Sequence, residues 1–176
     1  MTRAQAADTA RDGLIVVPPG GGQPVRRRYG EQTVIAIRAA DTRDAYVVRE
    51  NIAPAGYAAV PFHIHHGAEE AFYILEGAMT VTTPEREVKA EAGSCVLIPR
   101  GTIHAFANRE AAPLRWLTFI SPGWVSAWIE EESALLEEAG TQELDGARQN
   151  AIYEKYGLEV VGPPPRGPAT GQPEND

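Results

Sequence analysis

A chain of 176 residues with a net charge of −8 and an apolar fraction of 43% has the size and composition of one soluble globular domain with a sizeable core. The acidic balance disfavours nucleic acid as a partner, and no apolar run reaches the ~18 residues of a membrane-spanning helix. With one cysteine, Cys95, an intramolecular disulfide is excluded, which suits a reducing cytoplasm.

Residues 1–12 are polar and Ala-rich, lack the apolar core of a signal peptide, and are expected to fray. The LIVV run at 14–17 reads as a short strand, stopped by the loop Pro18-Pro19-Gly20-Gly21-Gly22. Segments 26–29 and 33–38 read as strands around Gly30, with Arg26, Arg27 and Arg28 expected on a solvated strand or loop and a dimer contact as the alternative. AYVVRENIA at 45–53 is another strand. Segments 62–65, 72–76, 79–83, 87–90, 95–98, 103–107 and 114–120 follow at short, regular spacing with turn residues between them, the pattern of a sandwich or barrel. Cys95, in the apolar run SCVLI, is expected to be a small buried hydrophobe. Gly77 suits a tight turn, and in Pro99-Arg100-Gly101 a type II turn requires Arg100 or Gly101 in the left-handed region.

After residue 120 the pattern changes. Ser121 as N-cap and Pro122 at the first helical position open a helix in which Val125, Trp128, Ile129, Leu135 and Leu136 recur at helical spacing, with Gly140 as its C-cap. Its five glutamates and lack of basic residues predict a solvated acidic outer face. A second helix over 143–156 presents Leu144, Ala147, Ala151 and Ile152 and stops at Gly157. The pair is expected to pack over one end or the outside of the barrel. Residues 158–161 add an edge strand, and 162–176 are Pro/Gly-rich and expected to be disordered. The fold class is therefore all-β: a barrel over about 26–120 and C-terminal α-helices over about 122–156, within one domain at 13–161.

Chemistry concentrates in two stretches. In GYAAVPFHIHHGAEEAFYILEG, from Gly56 to Gly77, His63 and His65 stand two apart in a strand context and so project from one face. Glu70 follows after a polar break; a chain reversal there sets its carboxylate opposite the imidazoles. GSCVLIPRGTIHAFAN, from Gly93 to Asn108, adds His104. Three imidazoles and a carboxylate converging inside a barrel make a site for one divalent transition metal. A lone His in an apolar strand is more often a satisfied core residue, but three of only four histidines fall here beside an acid, and burying them without a shared cation leaves polar groups to satisfy. His66, the fourth, is expected at the surface.

The two stretches resemble the paired motifs of the cupin superfamily. Gly56, six residues, His63-x-His65, four residues, Glu70, six residues and Gly77 fill the first pattern; Gly93, five residues, Pro99-x-Gly101, two residues, His104, three residues and Asn108 fill the second. The chain is similar to single-domain bacterial cupins of the quercetinase-like (flavonol dioxygenase-like) kind. The resemblance implies a double-stranded β-helix, or jelly-roll, barrel and a metal held by His63, His65, Glu70 and His104. It favours Fe, Ni, Co or Mn, while the donor types alone also admit Zn or Cu. It further implies Glu70 as the base that takes the substrate proton, and a homodimer paired through outer sheet faces and exchanged N-terminal strands.

Alternation from His104 and Glu70 turns Thr102, Phe106, Phe72, Ile74 and Glu76 inward, with Phe72 and Phe106 either walling a substrate pocket or belonging to the core; Trp116 fits either side. Three functions stay open: a dioxygenase acting on a flavonol-like or other enolisable aromatic; a redox-neutral isomerase, lyase or polyketide cyclase with the metal as Lewis acid; and a non-catalytic ligand-binding cupin. The partners expected are a small-molecule substrate, dioxygen for the first function and a second copy of the chain, with no nucleic acid and no membrane.

Overall fold

Period-two burial organises the structure. The computed structural model describes residues 8–9, 13–58, 60–140 and 144–165, and in chain order its strands are β1 (Asp8–Thr9), β2 (Ile15–Val16), β3 (Gln23–Val25), β4 (Gln32–Ile37), β5 (Val47–Ala53), β6 (Phe62–His65), β7 (Glu69–Glu76), β8 (Ala78–Thr82), β9 (Glu87–Glu91), β10 (Cys95–Ile98), β11 (Ala105–Ala107), β12 (Leu114–Ser121) and β13 (Leu158–Gly162). Helices α1 (Trp128–Ala139) and α2 (Gly146–Lys155) lie between β12 and β13. The expectation of disorder at 162–176 falls, from residue 166 on, outside the described residues, as does the frayed segment 1–12 apart from β1.

One six-stranded sheet runs β10-β7-β12-β5-β4-β3. Opposite it stand β11-β8-β9 and β13-β6, joined by an antiparallel bridge between His63 and His104. This is the jelly-roll arrangement. Between the two faces, Phe72 and Ile74 of β7, Leu114 and Trp116 of β12, Met79 and Val81 of β8 and Ala105 of β11 form one apolar core. A second core lies at one end, where Val25, Ile35, Val47 and Ile120 of the large sheet meet Trp128, Ile129 and Leu136 of α1 and Ile152 of α2.

Turn chemistry explains the connections. Gly77 takes φ 77°, and a Cβ there would sit 2.5 Å from the Pro113 carbonyl oxygen, so only glycine fits between β7 and β8. Gly101, not Arg100, takes the left-handed position (φ 74°) and lets the Thr102 amide bond the Pro99 carbonyl at 3.2 Å. Asn108, fully buried, donates its Nδ2 to the carbonyls of Pro54 and Ala112, 2.8 Å each, and ties the end of β11 to two neighbouring loops.

Several expectations need correction. Cys95 is exposed, because β10 alternates: Val96 and Ile98 turn inward while Cys95 and Leu97 turn out. Residues 26–29 are not a strand, and Arg27 is not solvated: its side chain is 9% exposed, donates from Nε to Glu31 at 2.9 Å and from Nη1 to Glu132 at 2.6 Å, and lies 4.8 Å from the Trp128 ring. Burial alone would lower the Arg27 pKa; the carboxylates of Glu31 and Glu132 outweigh it and raise it. Glu132 is thus a buried acid on a helix expected to show acids only to water. Ser121 does not cap a helix: it ends β12 and donates its hydroxyl to the Ala45 carbonyl. A 3₁₀ turn, Gly123–Ala127, precedes α1, and Gly140 caps it with φ 65°. α2 starts three residues later than expected, capped by Asp145, whose carboxylate accepts the Arg148 amide, and its Ala147 and Ala151 face out. Glu76 is also exposed, because the register between β12 and β7 shifts beside it.

Candidate metal centre

The chain does bring His63, His65, Glu70 and His104 together. Their candidate donor atoms all lie within 4.8 Å of one another. Donors ~2.0–2.2 Å from one ion can be at most ~4.4 Å apart, so a closure of a few tenths of an ångström would seat a cation. His63 and His65 share a face of β6 by alternation. His104 reaches them because its backbone exchanges both hydrogen bonds with His63, at 3.0 and 3.1 Å. Glu70 lies opposite the imidazoles, as a chain reversal after His65 requires. β7 belongs to the large sheet, so the carboxylate comes from the opposite face.

The ring nitrogens are sorted by backbone carbonyls. Nδ1–H of His63 donates to the Pro61 carbonyl at 2.9 Å and Nδ1–H of His104 to that of Thr102 at 3.1 Å. A carbonyl only accepts, so both rings carry the Nδ1 proton and present a bare Nε2 to the interior. Burial, then His104 and His65, lowers the His63 pKa to about 3, which keeps the imidazole in its neutral, ligating form. Glu70 Oε2 stands 3.4 Å from His104 Nε2 and 3.5 Å from His65 Nε2. Among the described residues, Glu70 Oε2 and His104 Nε2 are buried with no hydrogen-bond partner. An acceptor carboxylate oxygen and a bare imidazole nitrogen facing one another call for a shared cation, so the donor set fits a divalent metal.

The other carboxylate oxygen departs from the expectation of a free base. Glu70 Oε1 accepts from Arg49 Nη2 at 3.3 Å, and both side chains are almost wholly buried. A guanidinium on that oxygen opposes proton uptake. Arg49 was missed in the sequence although its signal was present: in VVRENIA, Val47, Arg49, Asn51 and Ala53 share one parity, and all four are buried. Asn51, Thr33, Thr118 and Trp116 form a chain beside it: Thr33 Oγ1 bonds Asn51 Oδ1 at 2.9 Å, while Asn51 Nδ2 and Trp116 Nε1 donate to Thr118 Oγ1 at 3.0 and 3.1 Å.

A cavity of ≈ 70 Å³ is bordered by His63, His65, Glu70, Arg49, Thr118, Arg27 and Glu31, with Trp128 and Ile129 of α1 and Tyr153 of α2 on its helix side. Of the expected pocket residues, Phe106 lines it, together with Trp116. Phe72 and Ile74 turn inward but are filled core positions, the Phe72 ring standing 5.2 Å from Phe106. Thr102 contributes its carbonyl to His104 and is not on the cavity wall. His66 is at the surface, paired with Glu159 at 2.8 Å.

Comparison with known proteins agrees with this architecture. Residues 48–120 match the family model described as the cupin domain. An uncharacterized protein of Methanocaldococcus jannaschii is 29% identical over 111 residues, spanning 54% of this chain and 86% of that one. Among solved structures, a candidate ethanolamine utilization protein of Salmonella typhimurium superposes with TM-score 0.55 at 18% identity, covering 67% of this chain and 94% of the other. A predicted oxalate decarboxylase of Thermotoga maritima gives TM-score 0.54 at 23% identity, covering 61% and 98%. At these identities the structural likenesses establish the fold alone.

Proposed function

We propose, on the match of residues 48–120 to the cupin domain model, that the chain is a metal-dependent enzyme acting on a small organic molecule, with His63, His65, Glu70 and His104 holding one divalent metal. The observation that carries this is the convergence of buried, partnerless donor atoms on Glu70 and His104 with the imidazoles of His63 and His65. A metal there would supply Lewis-acid polarisation of a bound oxygen. The chain's own residues orient the site: the carbonyls of Pro61 and Thr102 fix two rings, Arg49 fixes the carboxylate, and Phe106, Trp116 and Trp128 restrict water.

The reaction class favoured by the resemblance is dioxygen-dependent cleavage of an enolisable compound, the quercetinase-like reading. The cavity volume supports a smaller substrate than a three-ring flavonol: ≈ 70 Å³ is far below the ~300–1,000 Å³ of clefts that enclose drug-sized ligands. A redox-neutral isomerase or lyase is the second reading, favoured by the Arg49 contact, which leaves Glu70 better suited to ligation than to proton abstraction. Metal analysis of untagged protein tests the metal site: about one equivalent per chain is expected, and none overturns the proposal. Oxygen uptake across a panel of small enolisable substrates supports the first reading; turnover without oxygen supports the second.

The proposed assembly is a homodimer through the outer face of the large sheet, where Tyr73, Leu97 and Phe119 are exposed side by side on β7, β10 and β12. A full-length monomer by light scattering at micromolar concentration overturns it.

A further inference from the structure

We propose that the cavity selects a small carboxylate, with the Arg49 guanidinium receiving the carboxylate group while a second oxygen of the same molecule faces the His63, His65, Glu70 and His104 cluster. This rests on the metal-dependent reading of that cluster and adds the class of molecule it acts on.

The first support is hydrogen-bond capacity. A guanidinium carries five N–H donors in a planar fork matched to a carboxylate. Among the described residues Arg49 makes one hydrogen bond, the 3.3 Å contact to Glu70, although its side chain is only 6% exposed; its Nε is fully buried with no partner. A buried donor left unpaired is costly, and Arg49 lies on the cavity wall. Arg27, which also lines the cavity, uses both Nε and Nη1 on carboxylates. Burial lowers the Arg49 pKa to about 10, which still leaves it cationic near neutrality.

The second support is charge. Of the four ionic side chains on the wall, Arg27 and Arg49 balance Glu31 and Glu70. A divalent metal would then leave two positive charges uncompensated, and one even when Glu132, behind Arg27, is counted. An anion satisfies that balance. The third is size. A water needs about 10–15 Å³ of such volume, so ≈ 70 Å³ holds about five to seven water-sized groups, the heavy-atom count of a three-carbon hydroxy or oxo acid. On the helix side of the cavity wall, Trp128 Nε1 and Glu31 Oε2 also lack partners, a donor and an acceptor for the acid's remaining polar group.

The test compares lactate with lactamide, which keeps the shape and removes the charge, by titration calorimetry on the full chain. Metal content is measured in parallel, and the titrations are repeated on metal-free protein. Lactate should bind about tenfold or more tighter than lactamide in both forms. Arg49→Gln should weaken lactate by about ten- to a hundredfold and lactamide by far less, so that the difference between them closes, with Arg49→Lys between wild type and Arg49→Gln because a point charge lacks the fork. If Arg49→Gln does not fold, the lactate–lactamide difference in metal-free wild-type protein decides. Equal binding of the two, a preference confined to the metal-loaded form, or full lactate affinity in folded Arg49→Gln overturns the proposal. One metal per chain without lactate preference overturns this inference and leaves the metal reading intact; lactate preference without metal uptake does the reverse.

Discussion

Two clusters of buried polar groups border the cavity, and they are built on opposite principles. In the cluster under α1, donors meet acceptors: Arg27 lies between Glu31 and Glu132, and the Tyr153 hydroxyl closes on Glu132 at 3.3 Å. In the imidazole cluster, the Glu70 Oε2 oxygen faces the His104 Nε2 lone pair, and neither atom has a partner. The first satisfies its charges through hydrogen bonds among its own members and leaves only Glu31 Oε2 over, whereas the second becomes complete on adding a cation. Both are buried, so what separates a group that holds the protein together from one held ready for a ligand is the chemistry of the atoms left facing one another.

The contrast can be broken most forcefully at Arg27. Arg27→Met leaves two buried carboxylates uncompensated and should cost about 3–5 kcal/mol, read as a lower denaturant midpoint, while the folded fraction still takes up metal. Loss of metal affinity with unchanged stability would reverse the assignment. His104→Ala is the converse. It should abolish stoichiometric metal and with it the metal-dependent rise in stability, about 2.7 kcal/mol at a hundredfold excess over Kd; undiminished metal content would remove His104 from the ligand set.

Acid sharpens the comparison next. His63 has a folded pKa of about 3 against 6.5 for the free side chain, so protons bind it preferentially in the unfolded chain. Its contribution to stability is whole above about pH 6.5 and declines as pH falls toward 3. The metal-free protein should lose up to about 2 kcal/mol between pH 6.5 and 5 from His63, and His63→Gln should flatten that slope. An equally steep slope in the variant would place the titration elsewhere. The smallest effect is expected at Lys155→Met, which removes an exposed ion pair with Glu131 and should leave the melting temperature within error.

How much of this could be read in advance varied with the range of the interaction. The period-two pair His63 and His65, the strand Cys95–Ile98 and the Gly101 turn are local, and local spacing found them. His63, His65, Glu70 and His104 came together because their two motifs each carry the turns that aim them. The Arg27–Glu132 pair joins residues 105 apart, and nothing local marks either as buried; Arg27 read as a solvated basic run and Glu132 as one acid among five. Cys95 was misplaced because an apolar run does not state which parity faces in. Phe72 and Phe106 share an inward direction, yet only Phe106 reaches the cavity, since alternation gives a face and not a depth.

The reciprocal backbone bonds between His63 and His104 bear on how such a chain tolerates change over evolutionary time. The two ligand-bearing segments are fastened directly to each other, and the β8–β9 hairpin between them in sequence projects away, with Glu85 and Arg86 exposed at its tip. Extra residues at the 83–86 turn should therefore lengthen the hairpin without shifting the imidazoles. The inter-motif spacer becomes a place where lineages can diverge in length, or where a sequence can be grafted, with metal stoichiometry as the measure that the graft was silent.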